Sequence, residues 1–305
     1  MRVSVLGLGY VGSVSAGCLT ALGHTVVGVD ISRMKVDLIN AGRGPVIEAG
    51  LDALIAEAVA AGRLRATTDA REAVLATDLS LVCVGTPSDA NGNLNLIFVE
   101  RVCQEIGQAL AHKDGYHVVV LRSTMLPGSL EQRVIPVLEA ASGRRAGRDF
   151  GVVFNPEFLR EGTAIQDFHQ PPYTLIGQFD EPGAAQAAEL YRSLAAPLLI
   201  VPVKVAEMVK YANNAFHAVK VVFANELGSL CKRQGIDSHQ VMDIFCLDTK
   251  LNLSPYYLKP GFAFGGSCLP KDLRALLYHA HHLDVSVPLL EALLTSNALQ
   301  VRRGF

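Results

Sequence analysis

The chain begins with RVSVLGLGYVG at residues 2–12, an apolar β-branched run followed by three glycines in the pattern Gly-x-Gly-x-x-Gly. The run at 2–6 predicts a β-strand, and the sequence from about Tyr10 predicts a helix. Gly7 permits a tight turn, Gly9 lets the backbone approach a pyrophosphate, and Gly12 lets the helix pack closely on the strand. Because the N-terminus of the helix can hold the diphosphate, the stretch predicts a dinucleotide-binding site.

The next predicted strand, TVVGVD at residues 25–30, ends in Asp30. A carboxylate at this distance from the glycines accepts hydrogen bonds from the adenosine ribose hydroxyls. Its charge also repels the 2′-phosphate of NADP, so the sequence predicts NAD as the cofactor. In the alternative interpretation the glycines form only a turn and Asp30 caps the following helix, but the strand and helix around the motif weigh against it.

The alternation of strand and helix continues to about residue 200. Short apolar runs predict further strands at 79–84, 117–121, 151–154, 174–177 and 198–201. This pattern predicts an α/β fold, a Rossmann-like doubly wound parallel sheet, over residues 1–202. Residues 203–305 are predicted to form an all-helical central domain, since the proline-free stretch 204–234 permits one long helix of roughly 45 Å.

The composition excludes several classes of protein. Lys and Arg total 27 against 29 for Asp and Glu, so no basic excess favours nucleic acid as a partner. The apolar runs fall short of the roughly 18 residues that a membrane span requires. The start of the chain lacks the features of a secretory signal, and the six cysteines form no CxxC pair. We therefore expect a cytoplasmic protein with neither a disulfide framework nor a metal site.

One cysteine differs in context from the other five. Cys268 lies in FGGSCLPKD at 264–272, a Gly-rich loop that leads into a predicted helix. The helix N-terminus and Lys271 both favour a thiolate, which is the nucleophilic form of cysteine. The other cysteines lie in predicted helices or a buried strand, where cysteine is a small hydrophobic residue. On these residues alone, a nucleophile and an inert loop cysteine remain equally open.

Polar motifs also follow the predicted strands, at the edge where open α/β sheets bind ligands. They are VGTP at 84–87, RST at 122–124 and NPEFLRE at 155–161. Lys210 and Asn214 lie four residues apart on the long helix, and Lys210 interrupts the apolar sequence MVKYA. Strand-ending turns, a solvated pair of glutamates and a surface lysine remain open alternatives for these motifs.

A family resemblance is carried by six segments in fixed order: GLGYVG, VCVGTPS, RSTMLPG, NPEFLREGTAI, AEMVKYANNAFHAVK and FAFGGSCLPKD. Over all 305 residues the chain resembles the UDP-glucose/GDP-mannose dehydrogenase family. Residues 251–264 are more similar to the GDP-mannose branch than to the UDP-glucose branch. The resemblance therefore implies a nucleotide-sugar substrate, with GDP-mannose favoured and UDP-glucose as the alternative.

The resemblance implies oxidation of a sugar primary alcohol to a carboxylate with two NAD and no metal. Cys268 would add to the intermediate aldehyde, forming a thiohemiacetal and then a thioester that water hydrolyses. Lys210 and Asn214 would stabilise the developing oxyanion. Glu157 would orient or deprotonate the water. The proton network would be completed by Thr124, Glu161 and Asp272, and the resemblance leaves open which of these groups is the base.

Two further sets of residues follow from the same resemblance. The implied cofactor-binding residues are Gly7, Gly9, Tyr10, Val11, Gly12, Asp30, Lys35, Thr86, Thr124 and Lys271. The implied substrate-binding residues are Glu157, Phe158, Leu159, Arg160, Glu161, Lys210, Asn214, His217, Asn225, Asn252, Tyr256, Tyr257, Lys259, Phe262 and Gly265. Lys259 stands where the GDP-mannose branch carries an arginine, and a lysine keeps the charge but loses the bidentate fork.

Two expectations concern the protein as a whole. Family chains continue for about another 100 residues, a domain's length, beyond this point. The resemblance therefore leaves a non-enzymatic alternative, a truncated and catalytically impaired NAD-binding or interaction protein. The long helix has more apolar residues than one face needs, which predicts a homodimer or a larger homo-oligomer. These residues are Val205, Met208, Phe216, Val219, Val222 and Phe223.

Overall fold

The computed structural model describes residues 1–249, 261–282 and 288–304. The chain divides into two compact units, Met1–Pro87 with Asn95–Lys210 and Ser88–Leu94 with Tyr211–Phe305. The first unit is α/β, and the described part of the second is mainly helical. The division falls after Lys210, inside the long helix, and differs from the predicted boundary at 202.

The first unit is built on one mixed sheet. Its strands are β1 (Arg2–Leu6), β2 (Thr25–Val29), β3 (Leu64–Thr67), β4 (Leu79–Val82), β5 (Val118–Leu121), β6 (Gly151–Phe154), β7 (Thr174–Gln178) and β8 (Leu198–Pro202). The strand order is β3-β2-β1-β4-β5-β6-β7-β8, so its direction of growth reverses between β1 and β4. This reversal is the switch point at which doubly wound sheets bind ligands, and the predicted fold class is confirmed.

The sheet departs from the parallel arrangement at one edge. β6 pairs with β7 antiparallel, while β7 and β8 are parallel to each other. Because β6 and β7 are antiparallel neighbours, the start of β7 lies beside the end of β6, and Asn155 there donates from Nδ2 to the Leu175 carbonyl oxygen at 2.8 Å. The chain therefore enters β7 from the edge at which β6 ends.

Helices cover the sheet and form its core. The helices of the first unit are α1 (Tyr10–Ala21), α2 (Arg33–Asn40), α3 (Leu51–Ala60), α4 (Ala70–Ala76), α5 (Ile97–Leu110), α6 (Ile135–Ser142), α7 (Ala164–His169) and α8 (Glu181–Ala188). β4, β5 and β6 are buried along their whole length, which is typical of strands covered on both faces. Val5, Leu19 and Ile55 are fully buried in the main core.

The long helix, α9 (Val203–Gln234), begins in the first unit and ends in the second. Its first turns are anchored on the sheet side, since a Cβ on Gly177 of β7 would lie 2.8 Å from Ala206. Glu207 is fully buried and accepts hydrogen bonds from the backbone N–H groups of Gly128 at 2.6 Å and Leu130 at 3.0 Å. These contacts explain why the first unit extends to Lys210.

The second unit contains the rest of α9 with α10 (Ser238–Phe245), α11 (Cys268–His282) and α12 (Pro288–Arg303). A small core joins three of these helices through Ala218, Val222, Leu273 and Leu293. The predicted helices of this region are confirmed within the described residues.

Candidate active site

The glycine-rich turn has the geometry that a dinucleotide requires. Gly7 has φ +97°, and a Cβ there would lie 2.9 Å from Val84 Cγ1. A Cβ on Gly12 would lie 1.8 Å from the Gly7 carbonyl oxygen, so this position accepts only glycine. A Cβ on Gly9 would meet nothing within 4 Å. The open space beside the N-terminus of α1 fits a cofactor diphosphate.

Alanine at these two glycines is expected to have opposite effects. Gly12→Ala should destabilise the first unit by about 1–3 kcal/mol or more, because the methyl group overlaps backbone. Gly9→Ala should leave the thermal midpoint unchanged and weaken NAD binding, because its methyl group takes the space of the approaching cofactor. Thermal unfolding and calorimetric NAD titration measure the two effects. A Gly12→Ala variant as stable as the parent, or a Gly9→Ala variant with parental NAD affinity, would contradict this assignment.

Asp30 braces the glycine turn as well as facing the predicted ribose site. Its Oδ2 accepts from the Leu8 backbone N–H at 2.8 Å, and its Oδ1 accepts from the Ser32 N–H at 2.9 Å. The Lys35 ammonium lies 3.1 Å from Oδ2. Oδ2 thus accepts from two donors, whereas Oδ1 retains a further lone pair for a ribose hydroxyl. Lys35, which the resemblance assigned to the cofactor, thus pairs with the acidic residue of the site.

We expect tighter binding of NAD than of NADP, by about tenfold or more, because the Asp30 charge opposes a 2′-phosphate. Asp30→Asn should narrow this preference while keeping most of the side chain's shape. Lys35→Met should widen it, since lysine partly offsets the carboxylate charge. Calorimetry at one ionic strength measures all three proteins. Equal NAD and NADP affinities in the parent chain would overturn the assignment.

The loops after β4 and β5 meet at the carboxyl edge of the sheet, next to the switch point. The Thr86 hydroxyl donates to the Thr124 carbonyl oxygen at 3.0 Å, and the Ser123 hydroxyl donates to the Val84 carbonyl oxygen at 2.6 Å. Thr86 is buried and Thr124 is half-buried. The structure therefore brings two of the sequence-predicted residues together at the carboxyl ends of adjacent strands.

The loop after β6 contains a buried ion pair. The Lys210 Nζ lies 2.9 Å from Glu157 Oε1 and donates to the Glu157 carbonyl oxygen at 2.7 Å. The Leu159 N–H donates to Glu157 Oε2 at 2.7 Å. Burial opposes ionisation of Glu157, but Lys210, Arg122 and this N–H outweigh it and hold the pKa of Glu157 below its usual value. The alternatives of a solvated glutamate and a surface lysine are excluded for these two residues.

Arg122 lies in the RST motif that the sequence placed at this edge, but no role was predicted for it. Its Nη1 donates to Asn155 Oδ1 at 2.7 Å and to the Tyr191 hydroxyl at 3.0 Å. The guanidinium carbon also lies 5.9 Å from the centre of the Phe168 ring. The signal was a charged residue placed directly after the apolar run VVVL of β5.

The remaining residues of the loop have separate environments. The Phe158 ring centre lies 5.6 Å from Lys210 Nζ. The Arg160 guanidinium pairs with Asp167, with Nη2 2.5 Å from Oδ1. Glu161 is exposed, unlike Glu157, so the two carboxylates that the sequence placed in one turn differ in their environment.

In the second unit, Cys268 is exposed and is the first residue of α11. The Ser267 hydroxyl oxygen lies 3.8 Å from its Sγ. Four of the other cysteines are buried and Cys246 is half-buried. Burial raises the pKa of Cys18 and of Cys83 to about 12 and raises the pKa of Cys103 further. Cys268 is therefore the accessible thiol at a helix N-terminus that the sequence indicated.

One turn along α11, the Asp272 carboxylate is buried. Asn214 Nδ2 donates to Asp272 Oδ2, and the Lys271 ammonium lies 3.3 Å from Oδ1. The structure thus brings three predicted residues together and fixes the orientation of the Asn214 amide. Lys271, which the sequence placed near the thiol and the resemblance assigned to the cofactor, also pairs with Asp272.

The other predicted substrate residues of this unit form a smaller group. Asn225 donates from Nδ2 to the Phe262 carbonyl oxygen at 3.1 Å and accepts from the Gly261 N–H at 2.7 Å. His217 is half-buried, and Gly265 has nothing within 4 Å of an ideal Cβ. Four predicted residues lie outside the described part of the chain, namely Asn252, Tyr256, Tyr257 and Lys259.

α9 has two contrasting faces. At about 100° per residue, its exposed apolar residues fall within a sector of about 80°. These residues are Val205, Met208, Ala212, Phe216 and Phe223. The predicted catalytic and substrate-binding residues of the helix occupy the opposite face and are Lys210, Asn214, His217 and Asn225. Val219 and Val222, which the sequence also offered for assembly, pack in or against the second unit's core.

The doubly wound sheet, the glycine turn and Asp30 after β2 define a dinucleotide-binding protein. Two family models match the chain: the NAD binding domain of the UDP-glucose/GDP-mannose dehydrogenase family at residues 1–195, and its central domain at residues 204–299. The chain belongs to the UDP-glucose/GDP-mannose dehydrogenase family, and its cofactor is NAD.

Relatives and solved structures agree with this assignment. The chain is 56% identical over 305 residues to a GDP-mannose 6-dehydrogenase of Pseudomonas putida and covers 70% of that protein. A ternary complex of GDP-mannose dehydrogenase from Pseudomonas aeruginosa has 55% identity and a TM-score of 0.82, with 99% of this chain and 69% of that chain covered. A UDP-glucose dehydrogenase from Pyrobaculum islandicum has 39% identity and a TM-score of 0.93, with 98% and 68% covered.

Within the described residues, no helix combines the length and the apolar character that a membrane span requires.

Proposed function

We propose that the chain oxidises the C6 primary alcohol of a nucleotide sugar to the carboxylate, with GDP-mannose giving GDP-mannuronate. The observation that carries this proposal is the exposed thiol of Cys268 at the start of α11, in a chain whose other cysteines are buried or half-buried. The choice of GDP-mannose is supported by 56% identity to a relative named for that substrate.

The reaction has an alcohol stage and an aldehyde stage, and NAD supplies the hydride acceptor for both. Loss of a proton and a hydride converts the C6 alcohol to an aldehyde. The Cys268 sulfur then adds to the aldehyde carbon, and the oxygen takes up a proton to give a thiohemiacetal. Loss of a second hydride and of that proton leaves a thioester. Water breaks the carbon–sulfur bond, which releases the acid and restores the thiol.

Charged and polar residues assist these steps. Lys210 and Asn214 stabilise the negative oxygen that develops at C6, an electrostatic effect of typically a few kcal/mol per donor. Asp272 orients Asn214 through the hydrogen bond to its amide. Glu157, held ionised by Lys210, orients or deprotonates the hydrolytic water, and Thr124 and Glu161 complete the proton network.

The test is to mix the purified chain with NAD and GDP-mannose and to follow NADH and the sugar acid. Two NADH per sugar are expected. UDP-glucose is assayed in parallel, because the TM-score of 0.93 to a UDP-glucose dehydrogenase keeps that substrate as the second candidate. NAD binding without oxidation of either sugar would favour the non-enzymatic alternative, a binding or interaction protein.

We propose a homodimer formed through the exposed apolar face of α9. This face combines Phe216 at 50% exposure with Phe223 at 41% and Met208 at 41%. An exposed apolar stripe of this length is typical of an interaction surface. Because a two-fold axis brings the same face of each copy together, one helix supplies both halves of such an interface.

A glutamate on this face is expected to separate the copies. The parent chain should be a dimer at micromolar concentration, and Phe216→Glu should be a monomer because dimerisation would bury its charge. Leu299→Glu is the matched control, since Leu299 is 45% exposed on α12. Light scattering measures all three masses. A monomeric parent, or a dimeric Phe216→Glu variant, would refute the proposed interface.

The cytoplasmic location and the exclusion of nucleic acid stay predictions of the sequence.

A further inference from the structure

Glu48 is a buried acidic residue that the proposed reaction does not use. It lies between α2 and α3, and its carboxylate accepts from the N–H groups of Gly162 at 2.8 Å and Ala164 at 2.9 Å. It also accepts a hydrogen bond from the Tyr10 hydroxyl. Burial opposes ionisation of Glu48, but these donors outweigh it and hold the pKa of Glu48 below its usual value. A buried carboxylate with this many donors fixes the segments that supply them.

The first of these segments is the dinucleotide turn. Tyr10 follows Gly9 directly and is the first residue of α1. Its hydroxyl lies 3.4 Å from the Arg160 carbonyl oxygen and accepts from the Gly162 N–H at 3.2 Å. Because a diphosphate is bound by the N–H groups of this helical turn, the cofactor restrains the residue that carries the phenol.

The second segment is the loop that contains Glu157. Near its start, the loop is held by the contact between Glu157 and Lys210. In its later part it is held by Glu48, which fixes Gly162, a residue with φ +88° at the turn into α7. Glu48 therefore joins the cofactor turn to the loop through one shared carboxylate.

We propose that Glu48 is a positioning residue, a latch through which NAD on the glycine turn orders the loop that carries Glu157. The latch works through the Tyr10 hydroxyl: restraint of α1 restrains the phenol, and the shared carboxylate then restrains the N–H groups of Gly162 and Ala164. The cofactor orders the loop before a second ligand binds. By linkage, any ligand that requires the ordered loop then binds at a lower conformational free-energy cost. The identity of this ligand rests on the proposed function, in which it is the nucleotide sugar. The sugar should bind more tightly to the NAD complex than to the free protein.

Hydrogen exchange tests the latch without any sugar. In the parent chain, saturating NAD should slow exchange of the Gly162 and Ala164 amides by about tenfold, a typical size for coupled sites. In Glu48→Gln, NAD should bind but change these rates less than about twofold, because the amide presents N–H donors in place of one of the two accepting carboxylate oxygens. Glu57→Gln is the matched control on α3, where Glu57 is exposed and lies 3.7 Å from Arg63. It should keep the parental response.

Tyr10→Phe provides a second variant if Glu48→Gln does not fold, and at saturating NAD it should show the same loss of amide protection. The latch is wrong if NAD leaves both amides unchanged in the parent, or if the variant that folds keeps the tenfold effect. GDP-mannose affinity with and without NAD is measured on the same proteins. Amide protection by NAD without sugar binding would support the latch and reject the proposed substrate. Sugar binding without amide protection would support the substrate and reject the latch.

Discussion

Serine in place of Cys268 is expected to lower the rate of carboxylate formation by about 10³-fold or more, because a serine hydroxyl is almost fully protonated where a thiol is partly ionised. The first oxidation does not use the sulfur, so some aldehyde should still form. An ester on the serine would hydrolyse more slowly than a thioester, and mass spectrometry of the intact protein should detect it. Product analysis with NAD and GDP-mannose measures the loss of acid.

Cys246→Ser is the matched control, because Cys246 is half-buried in the same unit. It should retain the parental rate of acid formation, and both variants should bind NAD as the parent does. Iodoacetamide should label Cys268 before the other cysteines. Acid formation at the parental rate by Cys268→Ser would reject the covalent mechanism.

Methionine in place of Lys210 is expected to destabilise the first unit by about 3–5 kcal/mol, since it leaves the Glu157 carboxylate buried without its cation. The catalytic rate should fall by about 10²–10³-fold, the typical effect of removing one group that stabilises an oxyanion. Chemical unfolding and steady-state kinetics measure the two losses. The matched control is Lys204→Met on the same helix, where the exposed pair with Glu131 at 3.0 Å is worth at most about 1 kcal/mol.

The pH dependence of this variant has a defined sign. In the parent, the lowered pKa of Glu157 adds stability above its ordinary pKa, and this stability is lost as the pH falls through the lower folded value. Without Lys210, burial should raise the pKa of Glu157 above its ordinary value. Protonation of Glu157 then removes the buried charge and makes the variant more stable. The difference in unfolding free energy between parent and variant should narrow as the pH falls from neutral towards the ordinary pKa of a glutamate.

The double variant Lys210→Met with Glu157→Gln should recover much of the stability but not the activity, because it removes the uncompensated charge together with the catalytic groups. A Lys210→Met variant as stable as Lys204→Met at neutral pH would show that the pair is not the buried interaction described here.

The features that the sequence predicts correctly have local causes. Gly12 has to be glycine because of the residues beside it in the turn, and the 204–234 helix needs only the absence of breakers over its length. Cys268 was distinguished by its own loop and by the helix that follows. The strand at Leu64–Thr67 was missed because it is only four residues long, with two buried positions and a polar arginine between them. Too few positions alternate there for a periodic pattern to be recognised.

The sequence by itself determined the dinucleotide turn, the fold class of the two units and the family, because turn chemistry, hydrophobic periodicity and motif spacing are properties of neighbouring residues. Only the tertiary structure decided the reversed direction of β7 and β8 and the separate environments of Glu157 and Glu161. Only the tertiary structure brings Arg122 into hydrogen-bond contact with Asn155 and pairs Lys35 with Asp30. It also joins Glu48 to both Tyr10 and Gly162 through hydrogen bonds. Tyr10 and Gly162 lie 152 positions apart in the chain. The burial and charge that bring such distant groups together depend on three-dimensional packing, which no local pattern records.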